Sequence, residues 1–366
     1  MSAPPVDAIE KKEQPVESQE AKAQPTEKSA RVAVVQQATS TYGDSSDEEN
    51  EDGEEGQPEI EDEQILEDLP DDTQEIELIH SKLFAISKLG LSRFTQLKKL
   101  CLRQNYISVL DPEALGPLTE LEDLDLYDNR IKHVGTALDT LTKLHTLDLS
   151  FNNLKHVPHS LPKLTTLRTV YFVQNRISRI ENLSGLGRTL RSLELGGNKI
   201  RKIEGLEELV NLEEVWLGKN KISKLEGLHT LKKLKILSIQ SNRITKLEGL
   251  EELESLEEIY ISHNGIKKIE GLEKNLNLRT IDVGNNDITE LENVSHLSNL
   301  EELWMSYNKI ETLQALEPQL KHISTLETIY LEGNPVQAKE GPHYRRKIIL
   351  ALPQLKQLDA TYVKQI

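Results

Sequence analysis

The 366-residue sequence has a single cysteine, Cys101, and only 4% aromatic residues. One thiol excludes a disulfide framework and fits a reducing compartment. No apolar run approaches the roughly 18 residues of a membrane-spanning helix, so no membrane segment is expected. The opening MSAPPVDAIEKKEQPVE lacks the apolar core of a secretory signal. These absences predict an intracellular, soluble protein. Catalytic signatures are missing too. The ten histidines are scattered, and none pairs with Cys101 in a recognisable nucleophile arrangement. There is no phosphate-binding glycine loop and no H-E-x-x-H, and EENEDGEEG lacks the alternating ligand spacing of a calcium loop. The sequence therefore predicts no enzyme, no metal and no cofactor.

Positive charge is absent from one long stretch. From Asp44 to Glu77 there are 18 acidic residues and no Lys or Arg, whereas the whole chain has a formal charge of −17. The remainder is thus almost neutral. Residues 1–72, rich in Pro, Gln, Glu, Ser and Ala, cannot bury enough apolar surface to offset chain entropy, and they read as a disordered acidic N-terminal region. Such a run usually solvates the chain. Within it, DSSDEEN places acidic residues three positions after Ser45 and Ser46, which makes both serines candidate sites for an acid-directed kinase.

What is present is a repeat. The pattern L-x-x-L-x-L-x-x-N-x-I places asparagines at 105, 129, 152, 175, 198, 220, 242, 264, 286, 308 and 334. Five consecutive spacings are 22 residues, three are 23, and the flanking ones are 24 and 26. A degenerate first unit puts Ser81 at the asparagine position, giving about twelve units, and four units also carry [IL]-E-G-L between Ile203 and Leu272. In LKILSIQSNRI, alternation sends Leu237 and Ile239 to the core and Ile236, Ser238 and Gln240 outward. Asn242 bends the chain, its amide bonding backbone groups so that successive asparagines form a ladder. Only 22 residues per turn leave little room for a full helix, so short 3₁₀ turns are expected on the return side. The fold class is an α/β leucine-rich-repeat solenoid over residues 73–366, with a concave parallel sheet, a convex side of 3₁₀ turns and a one-dimensional core. Tyr344, Ile348, Leu352 and Leu355 recur at helical spacing and predict a C-terminal helical cap over 335–366, ended by Pro353. The degenerate unit near Ile76 is expected to close the other end.

The middle residue of L-x-L points outward from the concave sheet. Down the stack it reads Glu77, Cys101, Asp125, Asp148, Tyr171, Glu194, Trp216, Ser238, Tyr260, Asp282, Trp304, Tyr330. Five of these are Tyr or Trp and five are acidic, with none Lys, Arg or aliphatic. Strand propensity alone would also select Val, Ile and Thr, which are missing. The ladder, on the order of 50 Å long, suits a protein-binding face whose aromatic anchors and carboxylates select a basic partner patch. Glu214, Glu258 and Glu302 share that face, two residues before Trp216, Tyr260 and Trp304. An acidic concave face repels phosphates and argues against nucleic acid.

The N-[KR]-I-x-K-[IL]-E-G-L units, the blocks LCLRQNYI, LDLYDNRI, LGKNKISKLEGL, QSNRITKLEGL and SHNGIKKIEGLE, and the end YRRKIILALPQLKQLDATYV resemble the protein phosphatase 1 regulatory subunit 7 family over roughly residues 76–366. The resemblance implies a non-enzymatic regulator that holds the protein phosphatase 1 catalytic subunit on its concave face, newly made or metal-deficient and often with the small protein inhibitor-3. It also implies occurrence in nucleus and cytoplasm. The family's contact ladder matches Asp148, Tyr171, Glu194, Trp216, Asp282, Glu302, Trp304 and Tyr330; Tyr260 joins these from the pattern above. Tyr171 and Trp216 stand where relatives commonly carry phenylalanine, and LKHVPHSLPKL replaces the usual turn in the 23-residue units, which could change the curvature near Asp148 and Tyr171. A phosphatase-docking pattern, [RK]-x-[VI]-x-[FW], occurs as RTVYF at Arg168–Phe172, but Val170 and Phe172 are core positions of a repeat. RVAVV at Arg31–Val35 lacks the aromatic. The alternative reading is a leucine-rich adaptor for another basic partner, a histone- or tubulin-binding scaffold.

Overall fold

A computed structural model describes residues 65–364 throughout, together with the backbone strand Val32–Val34. Ser45, Ser46 and most of the acidic run lie outside the described residues. Among the described residues, fifteen strands form one sheet in strict sequence order. From Glu75–Glu77 to Thr328–Tyr330 each strand is three residues long and pairs parallel with the next. One strand per repeat follows from the unit. The central residue of each trio, such as Leu193, Val215 or Leu237, is fully buried, while its neighbours face the concave side.

The asparagine ladder forms as its spacing requires. Asn220 Oδ1 accepts the N–H of Ile200 in the preceding repeat at 3.0 Å. Its Nδ2 donates to the carbonyls of Leu195, Leu217 and Gly218 at 2.9, 3.0 and 3.3 Å. The same bridge recurs from Asn105, on Leu83 and Leu78, to Asn334, on Ile310 and Met305. Each carboxamide therefore closes its own turn and ties it to the one before, satisfying backbone groups that would otherwise be buried without partners.

The return side is mostly tighter than a helix, with short α-helices at Pro112–Leu115 and Leu316–Leu320 in the 24- and 26-residue units. Three-residue 3₁₀ turns occur at Leu91–Arg93, Leu161–Lys163 and Ser184–Leu186. In the 22-residue units the turn shrinks to isolated bonds such as Leu231 N–H to the Leu228 carbonyl, 2.9 Å. The glycine of [IL]-E-G-L has a steric cause. Gly205, Gly227, Gly249 and Gly271 adopt φ of 69–72°, and a Cβ there would stand 2.6–2.8 Å from a carbonyl oxygen of the previous repeat. Two units put asparagine at this left-handed position instead, and Asn182 and Asn293 each donate to a carbonyl of the previous repeat, Val157 and Ile269, at 2.8 Å. The collision becomes a hydrogen bond.

Both ends are covered. Tyr344, Ile348, Leu352 and Leu355 bury against the last layer, with the helix ending at Ala351, just before Leu352 and Pro353. The sheet continues past the last repeat through Gln357–Leu358, parallel to Thr328–Tyr330, and turns back antiparallel at Thr361–Tyr362. At the other end Leu66, 1% exposed, packs into the core. Arg93 holds this segment through Asp71 and, at 2.5 Å, the Leu66 carbonyl. The apolar end of the first layer needs a cover, and Leu66 supplies it. Val32–Val34 pairs parallel with Glu75–Glu77.

The ladder carries a stability prediction. Asn220→Ala and Asn220→Asp each remove the donors to the Leu195, Leu217 and Gly218 carbonyls. Each should lower unfolding free energy by about 3 kcal/mol or more, since every stranded buried group costs about 1–3 kcal/mol. Urea denaturation checks this. Wild-type stability in the aspartate variant would show that the donated bonds are dispensable.

Candidate protein-binding face of the sheet

The expected concave column is built rung by rung. Strand pairing aligns Asp125, Asp148, Tyr171, Glu194, Trp216, Ser238, Tyr260, Asp282, Trp304 and Tyr330 directly against one another in that order. The 23-residue units do not interrupt the register at Asp148 and Tyr171. Glu214, Glu258 and Glu302 lie two residues back in their strands, on the same face.

In the C-terminal half the rings touch. Trp216 and Tyr260 stack with centroids 6.5 Å apart, although a whole strand separates theirs. Tyr260 and Trp304 meet at 6.1 Å, and Trp304 meets Tyr330 edge-on at 5.8 Å. Alternate rungs would stand about 9.6 Å apart if their side chains rose straight, so the rings lean over the short residues between them. Ser238 and Asp282 point outward in the pattern yet are only 4% and 8% exposed. Asp282 Oδ1 accepts the Gly284 N–H at 3.0 Å, and burial raises its carboxyl pKa. It acts as a pedestal beneath the aromatic row. Three of the four polar tips are tethered: Tyr260 Oη donates to Glu258 at 2.7 Å, Trp304 Nε1 donates to Glu302 at 2.9 Å, and Gln357 donates to Tyr330 Oη at 2.5 Å. Four aromatic groups thereby form a preorganised, half-exposed surface that loses little rotamer freedom on docking.

The N-terminal half is acidic and hollow. A depression of about 600 Å³ is lined by residues including Glu77, Cys101, Arg103, Asp125, Asp148 and Tyr171. Burial, followed by nearby carboxylates, raises the pKa of Glu194; Asp125 is also raised by burial. Asp148 Oδ1 accepts the Ser150 N–H at 2.8 Å, which fixes its orientation. Burial pushes the Cys101 thiol up, away from a reactive thiolate. Two residues that the repeat pattern did not single out shape the face. Arg103 pairs with Asp125 at 3.1 Å and stacks over Tyr127 at 4.3 Å, and Gln357 enters from the cap. Arg103 lies two residues after Cys101 in the alternation, a signal that position could have given. Gln357 has no repeat register to reveal it. Val170 and Phe172 of RTVYF are fully buried, so this segment is not a free docking peptide.

Leucine-rich-repeat profiles match residues 73–131, 95–154 and 251–366, and a two-copy leucine-rich-repeat profile matches 188–228. An internalin from Listeria monocytogenes shares the architecture with TM-score 0.68 and 25% identity, over 80% of this chain and 82% of that one. A Leptospira interrogans leucine-rich-repeat protein does so at TM-score 0.63 and 24% identity, covering 78% of this chain and 84% of its own. The chain is a leucine-rich-repeat protein. Within that class it resembles the protein phosphatase 1 regulatory subunits. It is 54% identical over 75 residues to the regulatory subunit SDS22 of Saccharomyces cerevisiae, 20% of this chain and 22% of that protein. It is 56% identical over 46 residues to regulatory subunit 7 of Mus musculus, 13% of this chain and 12% of that protein. The matched stretch spans about a fifth or less of these relatives' length.

The acidic rungs carry a pH prediction. A carboxyl whose folded pKa exceeds its unfolded value binds more protons when folded, so its ionisation at neutral pH opposes folding, and this opposition is relieved as pH falls through the folded value. Glu194→Gln should therefore melt above wild type at neutral pH, with the gap closing as pH falls towards the ordinary glutamate value of 4.5. Equal melting temperatures at neutral pH would show that the Glu194 charge carries no folding cost.

Proposed function

We propose that this protein is a non-catalytic regulator of protein phosphatase 1 that binds the catalytic subunit on its concave sheet. The observation that carries the reading is the continuous ring row Trp216–Tyr260–Trp304–Tyr330, tethered by Glu258, Glu302 and Gln357 and flanked by carboxylates. Aromatic groups held rigid at the centre of a surface are the usual energetic anchors of an interface, and buried carboxylates beside them favour a basic partner patch. The resemblance to protein phosphatase 1 regulatory subunits supplies the partner. In this reading Asp148, Tyr171 and Glu194 contact the partner at the acidic end, and Trp216, Tyr260, Glu302, Trp304 and Tyr330 at the aromatic end, with Asp282 supporting them. Control of maturation and targeting, a third member of the inhibitor-3 type, and residence in nucleus and cytoplasm complete the proposal.

Titration of the recombinant phosphatase catalytic subunit into wild type and into Trp216→Ala/Trp304→Ala tests it. Each anchor is worth roughly 2 kcal/mol or more, so the double variant should bind at least about 100-fold more weakly while keeping the wild-type circular dichroism spectrum. Unchanged affinity would remove the concave face from the mechanism. Absence of phosphatase binding by wild type would favour an adaptor for another basic protein.

A further inference from the structure

A second ordered column lies on the edge of the solenoid just past the asparagine ladder. From Asn105 to Asn308 the residue after each asparagine donates its backbone N–H to the carbonyl of the residue one position further along in the preceding repeat. These bonds measure 2.9 Å for Arg130 and 2.8 Å for Asn153, Arg176, Lys199, Lys221 and Arg243. The six side chains therefore leave the backbone in register, one per repeat, over roughly 24 Å. Five are cationic, and all five are exposed except half-buried Lys221.

These five cations have no carboxylate partner among the described residues, in contrast to their neighbours. Three positions along, Arg179 and Lys202 pair with Glu204 at 2.9 and 3.8 Å, and Lys224 and Lys246 pair with Glu248 at 3.9 and 3.5 Å. The chain thus neutralises one cationic column internally and leaves the adjacent one open. At its N-terminal end the open column meets exposed aromatic rings. Tyr106 occupies the rung before Arg130, which stacks over it at 4.3 Å, and Phe84 packs on Tyr106 at 5.1 Å. Two repeats on from Tyr106, Phe151, 42% exposed, holds a left-handed backbone with φ 54° and contacts Tyr127 at 4.9 Å. A bulky ring in that conformation is disfavoured, and at this place in the turn most other repeats have small or polar residues such as Ser241 and Asn285, with Tyr307 the other aromatic.

We infer that this edge is a second interaction surface, which takes an acidic polypeptide segment bearing an apolar residue at the end seated near Phe84, Tyr106 and Phe151. The flanks of the cationic row select this partner. In the same repeats carboxylates stand five residues before the row, at Asp125, Asp148 and Glu194, and five after it, at Glu204 and Glu248. A polypeptide can place discrete carboxylates between those flanks, whereas a nucleic-acid backbone carries continuous negative charge into them. The surface is independent of the concave anchors and does not rest on the phosphatase reading.

Fluorescence anisotropy of labelled poly-L-glutamate with the full chain at low ionic strength tests the inference. Wild type should bind, with affinity falling as salt rises. Arg176→Glu/Lys199→Glu/Lys221→Glu/Arg243→Glu should bind at least about 10-fold more weakly, and Trp216→Ala/Trp304→Ala should bind as wild type. The corresponding four glutamine substitutions repeat the measurement should charge reversal compromise folding, with the same weakening expected. Equal binding by both edge variants, or no binding by wild type, would overturn the inference. Tighter binding of an oligothymidylate of matching length would assign the edge to nucleic acid and overturn it too. Binding gained only when the carboxylates of residues 44–63 are replaced by amides would assign it to the chain's own acidic segment, again against the inference.

Discussion

The structure depends on the buried asparagine carboxamide, which has one acceptor and two donor hydrogens to offer and uses all of them. Its oxygen takes an N–H from the preceding repeat, and its nitrogen caps carbonyls of both repeats, as at Asn220. That exchange fixes the distance and register between one turn and the next. Everything that faces outward inherits the register. The concave column and the cationic edge are in register because the carboxamides beneath them are.

Stacking of this kind makes a core in one dimension, so the ends need separate solutions. The C-terminal helix carries Tyr344 and Ile348 onto the last leucine layer, and the Gln357–Tyr362 hairpin finishes the sheet. At the N-terminal end Leu66 and the Arg93 clamp do the corresponding work. The C-terminal cap also reaches the candidate site. Gln357 holds Tyr330 Oη, so the last aromatic rung is positioned by a residue that belongs to no repeat. A structural device at the end of the solenoid thus becomes part of its candidate binding surface.

The two halves of the concave face use different chemistry on one scaffold. Trp216, Tyr260 and Trp304 alternate with short residues, and the rings close over them to give an apolar row with tethered tips. Towards the N-terminus the same column holds carboxylates, with Glu194 beside Asp148 and Glu214, which raise its proton affinity further. An apolar row at one end and carboxylates at the other give a polarity along the solenoid axis. A partner can engage it in one direction only if its basic and apolar patches are arranged to match.

The repeat, its strand positions, its asparagine turns and the membership of the concave column were all legible in the sequence, because each follows from local spacing. A residue two positions from a buried leucine in a strand must share or oppose its face, whatever surrounds it. The sequence by itself therefore determined which side chains line the sheet and in what order. Only the tertiary structure decided how neighbouring repeats meet. Trp216 and Tyr260 touch over Ser238, Asp282 is covered, Arg103 clamps Asp125, and Asn182 replaces a glycine by bonding the carbonyl that a simple Cβ would strike. These contacts join residues about 22 to 44 positions apart across the stack. Spacing within one unit specifies direction, but contact between units depends on side-chain lean, volume and hydrogen bonding, which exist only once the turns are stacked.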